Sequence, residues 1–344
     1  MSGDPRRPRL VLLVALLWVT AFGELDLATA DLSFFGTLSL AAVGVALFCP
    51  PVTVAAVGAY AIAWALLLGV EGGYFTPLHL LRIAISVLVV AASVLLAAAR
   101  ERRERSFSQL QDVALAAQHA LLRPLPERIG SARFAGRYRS AAEGALVGGD
   151  FYEATDTPFG ARLIIGDVVG RGLDAVGLSG LVLGGFREAA LTAPNLAILS
   201  HRLDGMTTVY ARGDEYATAI IAEVVGHEIR IVSCGHPMPL LVRPGEAART
   251  IEVPSTRPLG YGSTPEVRAF PLRPGERLLL YTDGITEARG AEGRFFDLPA
   301  AAERALLAGS AADGLDRLLL DLDAFLTDGL RDDVALVVVE TAAG

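Results

Sequence analysis

The hydrophobic and polar positions divide the chain into two parts of different character. In the first hundred residues, apolar side chains form four long runs: Leu10–Gly23, Leu32–Cys49, Val52–Val70 and Ile83–Ala99. A helix that crosses a bilayer needs about 20 apolar residues. The second and third runs reach this length, the first is shorter, and the fourth reaches it when residues 78–82 join it. The pattern predicts a transmembrane region of four helices, or of three if the first run is removed.

Arginines at the two ends of this region indicate its orientation. Arg6, Arg7 and Arg9 precede the first run, and Arg100, Arg102, Arg103 and Arg105 follow the last. Positive charge marks the cytoplasmic side of membrane segments, so four spans place both ends in the cytoplasm. In a competing interpretation the first run is a cleaved signal peptide, because Ala28-Thr29-Ala30 resembles a cleavage site. Both interpretations predict a plasma-membrane protein whose following domain is cytoplasmic.

A connector helix is predicted between the membrane region and the rest of the chain. Pro124 and Pro126 end it, and its apolar residues are spaced 3, 4, 3 and 4. This connector seam consists of Phe107, Leu110, Ala114, Ala117 and Leu121. Such spacing is typical of a two-heptad coiled coil. Either the seam pairs in a homodimer and transmits the state of the membrane, or it packs on its own domain.

The following residues show short strand patterns separated by turn signals. The predicted strands are Arg133–Ser140, Gly149–Thr155, Ala161–Gly166, Tyr216–Val225, Glu228–Cys234, Pro239–Val242, Glu266–Phe270, Arg277–Tyr281 and Val334–Glu340. The predicted helices are Asp174–Leu191, Asn195–Tyr210, Ala312–Leu326 and a shorter one near Ala300–Leu307. Strands that come in neighbouring pairs favour antiparallel sheets covered by helices, an α+β domain. We therefore predict a membrane region at 1–99, a connector at 100–126 and a folded domain at 127–344.

Composition and charge agree with this division. Of the 344 residues, 52% are hydrophobic, and the mean hydropathy of +0.46 is too high for an ordinary soluble chain. Residues 1–105 carry 8 Arg against 7 acidic residues, whereas the remainder carries 22 against 31. An acidic domain binds nucleic acid poorly, because counterion release needs a basic face. The only cysteines, Cys49 and Cys234, argue against a disulfide framework or a thiolate metal site.

Four aspartates of the predicted domain each stand at a turn or strand end beside an apolar run. They are Asp150, Asp167, Asp283 and Asp332. A carboxylate in such a place is costly to bury unless a cation compensates it. No cluster of Lys, Cys or His accompanies them, which suggests hard divalent ions such as Mg²⁺ or Mn²⁺. Taken singly, each is explained equally well as a turn-forming Asp.

Five motifs in a fixed order carry a family resemblance. They are Val147–Tyr152 (VGGDFY), Gly166–Gly172 (GDVVGRG), Cys234–Pro237 (CGHP), Leu280–Glu287 (LYTDGITE) and Arg331–Val334 (RDDV). Over residues 118–340 this order resembles the metal-dependent protein phosphatases (PPM, protein phosphatase 2C type), and specifically their SpoIIE-like bacterial branch. The resemblance implies an αββα sandwich with two Mn²⁺ or Mg²⁺ ions. The implied substrate is a phosphoserine or phosphothreonine protein, in this branch often an anti-sigma-factor antagonist.

The resemblance also implies a metal-binding role for particular residues. Asp167 is expected to bridge the two ions, and Val168 to add its backbone carbonyl. Asp150 is expected to serve the second ion, directly or through water. Asp283 and Asp332 are expected to hold the first ion. Hydrolysis would then follow from attack by a metal-activated water, and it needs no nucleophilic side chain.

Two neighbouring positions complete the expected site. Asp333 stands where relatives have Asn or Asp, and we expect it to orient the ligands. Arg171 stands where relatives usually have His; an arginine binds a phosphate oxygen well but stays protonated and cannot readily act as a general acid. We expect Asp167, Asp150 and Arg171 to be the catalytic residues. The alternative function, which Arg171 motivates, is a catalytically weak pseudophosphatase that binds a phosphoprotein.

Overall fold

The computed structural model describes residues 6–28, 35–71, 76–141, 148–170, 172–327 and 329–342. The chain forms two compact units, Met1–Gln109 and Leu110–Gly344. The first unit is helical. Its helices are α1 (Arg6–Ala28), α2 (Phe35–Leu38), α3 (Leu40–Ala46), α4 (Pro51–Glu71) and the first part of α5 (Pro77–Leu121).

Three helices of the first unit are long and apolar enough to cross a membrane. The segments with this character are Arg9–Ala28, Pro51–Val70 and Pro77–Ser106. The first predicted run is therefore part of a longer helix than its apolar residues alone indicated. The second predicted run instead contains the short helices α2 and α3, which a turn at Ser39 separates. Neither of these two helices alone is long enough to span a bilayer.

The second unit consists of two sheets and the helices that cover them. Its strands are β1 (Arg128–Ile129), β2 (Ala132–Arg139), β3 (Phe151–Thr157), β4 (Gly160–Val169), β5 (Tyr216–Val225), β6 (Glu228–Cys234), β7 (Leu240–Arg243), β8 (Glu246–Thr250), β9 (Ser255–Thr256), β10 (Arg268–Pro271), β11 (Arg277–Tyr281) and β12 (Val334–Thr341). Its helices, after the end of α5, are α6 (Leu173–Thr192), α7 (Leu196–Tyr210), α8 (Asp283–Glu287), α9 (Leu298–Leu306) and α10 (Ala311–Phe325).

The two sheets pack face to face between two pairs of helices. The first sheet has the order β1-β2-β12-β11-β7-β8, and the second has the order β10-β6-β5-β4-β3, with β9 parallel to β6. Side chains that alternate along the strands fill the space between the sheets, including Ile165 and Ile220 from one and Leu280 and Val337 from the other. The opposite faces pack on α6 and α7 and on α9 and α10. The expected αββα sandwich is confirmed.

Most predicted elements lie within a few residues of the observed ones, and the two clearest omissions have physical causes. β8 is a polar strand of mostly exposed residues that pairs with β7, so it shows no hydrophobic alternation. α8 begins at Asp283, directly after β11, and an Asp-Gly pair in that place is more typical of a turn. Asp283 therefore opens a short helix, where the sequence had indicated only a strand end.

The last part of α5 packs on the domain that follows it. Ala117 and Leu121 contact Val176 of α6. The side chains of Phe107, Leu110 and Ala114 lie outside the described part of the chain. At its two described positions, the connector seam thus has a partner within its own domain.

A fully buried arginine joins the second sheet to α6. Two nitrogens of the Arg162 guanidinium donate to one carboxylate oxygen of Glu223, at 2.9 and 2.7 Å. A third nitrogen donates to the carbonyls of Ala190 and Ala193 at the end of α6, at 2.8 and 2.6 Å. These carbonyls have no partner within the helix, so Arg162 satisfies them and the buried acid together.

We expect Arg162→Ala to destabilise the protein by about 3 kcal/mol or more, because it leaves a buried carboxylate and two carbonyls with fewer partners. Thermal or denaturant unfolding of the detergent-solubilised chain measures this. Arg304→Ala is the matched control, since its pair with Asp321 is long and largely exposed, and it should cost less than about 1 kcal/mol. Equal effects of the two substitutions would contradict the role given to Arg162.

Candidate metal centre

Asp150 lies just before β3 and is held by a hydroxyl from the other sheet. Its side chain is buried, with 2% of the residue exposed. Thr282, which follows β11, donates its hydroxyl to Asp150 Oδ2 at 2.6 Å. The same hydroxyl accepts a hydrogen bond from the backbone N–H of Ala335 in β12 at 2.9 Å. One threonine therefore fixes this carboxylate relative to two strands of the first sheet.

The four predicted ligands act on one another electrostatically. Asp167 lies near the end of β4 and shares a hydrogen bond with Asp150; burial, followed by the charges of Asp283 and Asp332, raises the pKa of Asp167 to about 7. Burial and then the charge of Asp167 raise the pKa of Asp150 well above its usual value. Burial, Asp332 and Glu287 raise the pKa of Asp283. The fold thus brings together carboxylates that are up to 182 positions apart in sequence.

The chemistry of this group fits hard cations. Among the described residues, the charged side chains that act most strongly on Asp150, Asp167 and Asp283 are all acidic. Buried like charges are unfavourable unless positive charge accompanies them. In the described ranges, no three carboxylate, imidazole or thiol groups lie close enough to hold one ion among themselves. Mg²⁺ usually keeps several waters beside one or two carboxylates, so such a sparse arrangement of oxygen donors suits it.

Two glycines allow the backbone segments of the centre to approach one another closely. A Cβ atom on Gly149 would lie 2.7 Å from the carbonyl oxygen of Val168, the backbone group expected to bind metal. A Cβ atom on Gly284 would overlap the carbonyl oxygen of Asp333. Real side chains do not tolerate such contacts with backbone, so only glycine fits at either position.

Asp333 organises the backbone that leads to the first ligand. It is 1% exposed, and its carboxylate accepts hydrogen bonds from the N–H of Gly148 at 3.1 Å and of Ala141 at 2.8 Å. Tyr138 donates its hydroxyl to the same carboxylate. Gln118, in the last turn of α5, donates to it at 3.2 Å and to the Gly148 carbonyl at 3.0 Å. The carboxylate of Asp333 therefore contacts protein donors on either side of the Gly148 backbone, and its orienting role remains a prediction.

His236 lies between the strands that carry two of the ligands. Its Nδ1 is 2.9 Å from the Thr218 hydroxyl, and that hydroxyl is 3.4 Å from the carbonyl oxygen of Asp167. Burial lowers the pKa of His236 to about 3, although a contact with the backbone of Tyr281 opposes this shift. The imidazole is therefore neutral, and it contacts β5 of the second sheet through Thr218 and the end of β11 of the first through the Tyr281 backbone.

The structure places Asp150, Asp283 and Asp332 within electrostatic range of Asp167, and Asp333 within range of Asp150. Arg171 lies outside the described residues. Sequence reasoning did not identify Gln118, Tyr138, Thr282 or Ser179 as part of this region; Ser179 donates to the Gly149 carbonyl at 2.7 Å. Only Thr282 carried a signal, because it lies inside the LYTDGITE motif.

We expect Gly284→Ala to destabilise the protein by about 1–3 kcal/mol, since the added methyl group must displace the Asp333 backbone. It should also weaken Mn²⁺ binding, measured by calorimetry. The added methyl group separates residue 284 from Asp333, and each of these two residues is the chain neighbour of a proposed ligand, Asp283 or Asp332. Gly177→Ala is the control: its Cβ meets no atom within 4 Å, and alanine favours a helix. Normal Mn²⁺ uptake by a folded Gly284→Ala protein would show that this close approach is not needed.

Comparisons with known proteins agree with the fold and the motif order. The family model of Stage II sporulation protein E (SpoIIE) matches residues 158–342. The structure of the RsbU and RsbW domains of Rv1364c from Mycobacterium tuberculosis is 27% identical, with a TM-score of 0.55. That alignment covers 64% of this chain and 63% of the other, so this chain spans less than two thirds of that relative.

Two further structures share the fold at lower identity. The SiaA-PP2C domain of Pseudomonas aeruginosa is 18% identical, with a TM-score of 0.56, over 70% of this chain and 99% of that domain. The serine/threonine phosphatase of S. agalactiae is 13% identical, with a TM-score of 0.52, over 61% of this chain and all of that protein. The chain belongs to the SpoIIE family, and its second unit shares the fold of these phosphatase domains.

Proposed function

We propose that this chain is a membrane-anchored, metal-dependent protein serine/threonine phosphatase. The observation that carries the proposal is the mutual effect of the group Asp150, Asp167, Asp283 and Asp332: among the described residues, the charged side chains that act most strongly on the first three are acidic. Such a group is stable in a folded domain when cations neutralise it. The SpoIIE family and the PP2C fold favour the same reaction.

The ligand roles follow the resemblance and the geometry together. Asp167 would contact both Mn²⁺ or Mg²⁺ ions, with the Val168 carbonyl and Asp150 completing one side and Asp283 and Asp332 the other. When bound, two such ions activate water and neutralise the oxygens of a phosphoryl group. The chain's own part is positioning: Thr282 fixes the first carboxylate, and the buried strands keep the others in place.

A cysteine nucleophile does not fit this domain. Cys234 is fully buried, and its thiol lies 3.3 Å from the Ser200 hydroxyl. Burial raises the pKa of this thiol, which keeps it protonated and a poor nucleophile. Hydrolysis by water at the carboxylate group therefore remains the route that the described residues support.

We expect purified protein to hydrolyse p-nitrophenyl phosphate only with Mn²⁺ or Mg²⁺, and Asp167→Asn to lower the rate by at least a hundredfold. Without metal, Asp167→Asn should raise the melting temperature, because it removes one of several mutually repelling charges. Addition of Mn²⁺ should stabilise the parent protein but not the variant, since only the parent binds the ion tightly.

Asp214→Asn is the control for this experiment. Asp214 is exposed in the turn before β5, and its substitution should leave both the rate and the Mn²⁺-dependent stabilisation unchanged. Full turnover by Asp167→Asn, or equal Mn²⁺ stabilisation of the parent and Asp167→Asn proteins, would refute the proposal.

For the substrate we propose a regulatory protein phosphorylated on serine or threonine, with an anti-sigma-factor antagonist as the first candidate. The support is the family membership and the similarity to a structure that contains RsbU and RsbW domains. The competing function is a pseudophosphatase that holds a phosphoprotein without turnover, as the arginine at position 171 suggests. Tight capture of a phosphoserine protein with no phosphate release at saturating Mn²⁺ would favour the competing function.

We propose further that the first unit anchors the domain in the plasma membrane. Three helices of sufficient length and hydropathy support this. The arginine-rich segment that follows the last span favours a cytoplasmic domain. This orientation of the domain holds for four spans and for the three that remain if the first run is cleaved, because the last span and its flanking charges are the same.

For the connector seam we propose packing within the chain at its final turn. We expect Leu121→Ala to lower the free energy of unfolding by about 1–2 kcal/mol, because Leu121 is partly buried against Val176. The sedimentation mass of the detergent-solubilised protein should not change. A loss of mass from dimer to monomer in this variant would instead show that Leu121 belongs to a homodimer interface.

A further inference from the structure

A cavity of about 480 Å³ opens directly beside the candidate metal centre. One end is formed by Asp332 and by Gly284, the neighbour of Asp283. The rest of its lining includes Arg289, Arg331, Glu287 and Glu292. The cavity is therefore continuous with the proposed centre, and its wall carries charges of both signs.

The arginine Arg289 is arranged to bind an anion. Its guanidinium carbon lies 4.2 Å from the centroid of the Phe295 ring. Stacking of this kind orients the guanidinium but leaves its N–H edge free for a bidentate carboxylate. Within the described ranges, neither Arg289 nor Arg331 forms an ion pair with an acidic side chain.

A tight hairpin holds Arg289 opposite Phe295. The two residues form a bridge, and the intervening turn is closed by the Gly290 N–H, which donates to the Arg294 carbonyl at 2.9 Å. Glu292 in this turn has a φ of 61°, the only positive φ of a non-glycine residue in the described part of the chain. A glutamate there costs about 1 kcal/mol relative to glycine, and such outliers concentrate at functional sites.

We propose that this cavity receives the substrate residues next to the phosphoserine, and that Arg289 pairs with a carboxylate side chain among them. This inference rests on the proposed phosphatase function. An extended peptide advances about 3.3–3.6 Å per residue, so residues adjacent to a phosphoserine at the metal centre reach a cavity that begins at Asp332. Arg289 and Phe295 then determine specificity for an acidic flank.

Because the cavity wall carries both acidic and basic side chains, a substrate carboxylate is favoured at some positions in the peptide and disfavoured at others. Glu287 is near enough to Asp283 to act on the pKa of that carboxyl, and Glu292 lies in the hairpin turn; both glutamates are exposed. A substrate carboxylate is repelled by both glutamates and attracted by the stacked guanidinium. Repulsion at unsuitable positions and attraction at one position together give specificity.

The test uses three synthetic phosphoserine peptides that differ only in the two residues on each side of the phosphoserine: Glu, Gln or Lys. With full-length protein in detergent and Mn²⁺, kcat/KM should be about tenfold higher for the Glu peptide than for the Gln peptide, through a lower KM. Arg289→Gln should reduce this ratio to about one. Arg289→Glu should make the Lys peptide the preferred substrate.

The matched control is Arg294→Gln. Arg294 is an exposed arginine of the same hairpin, it does not line the cavity, and its substitution should keep the tenfold ratio. Equal kcat/KM for the Glu and Gln peptides in the parent protein would overturn the proposal. A ratio that persists in Arg289→Gln would do the same.

A binding measurement separates this inference from the proposed function. Fluorescence anisotropy of the labelled peptides reports their affinity without turnover. Arg289-dependent preference in binding without any phosphate release would support the cavity and refute the phosphatase. Release of p-nitrophenol without any Arg289-dependent preference would support the phosphatase and refute the cavity. Loss of both would refute both.

Discussion

Mutual repulsion among neighbouring carboxylates, of which Asp150 is buried and Asp167 and Asp283 are half-buried, is the constraint on which the arrangement of this domain depends. Burial and neighbouring acids raise the pKa of Asp167 to about 7, against about 3.9 in an unfolded chain. The folded state therefore binds more protons than the unfolded state between these values, and Asp167 lowers stability as the pH rises through this range. The hydrophobic core between the sheets offsets this cost, and a bound cation would remove much of it. A centre of this kind makes the metal-free folded state less stable, and the same carboxylates allow it to bind metal.

The sandwich architecture explains how such a group is held in place. Asp150 precedes β3 and Asp167 lies in β4 of the second sheet, whereas Asp283 and Asp332 lie close to the ends of β11 and β12 of the first. Neither sheet alone carries the full set, so the centre exists only where the two layers meet. Thr282 joins Asp150 to the first sheet by hydrogen bonds, and rigid packing of the two layers preserves the separation of their carboxylates.

The sequence predicts the elements whose signals are local. The apolar runs of β5, β6 and β11 are bounded by turn residues, and their predicted limits agree with the observed strands. The second apolar run shows the limit of this reasoning, because composition measures its length but not whether its helix is continuous. The candidate ligands were identified by motif order, since any single Asp at a strand end is ambiguous. Gln118 and Asp333 were never connected by sequence, because a hydrogen bond across 215 positions leaves no periodic pattern.

The proposed chemistry and the proposed specificity have different physical origins. A pair of cations among carboxylates recognises a phosphoryl group, which every phosphoserine protein carries, so the centre itself distinguishes substrates poorly. Discrimination must come from side chains that touch other parts of the partner, and Arg289, which lines the cavity beside Asp332 and stacks on Phe295, is the side chain proposed for this. Because these residues lie on a hairpin and the proposed ligands lie in or beside the strands and α8, selectivity can change without disturbing the carboxylates.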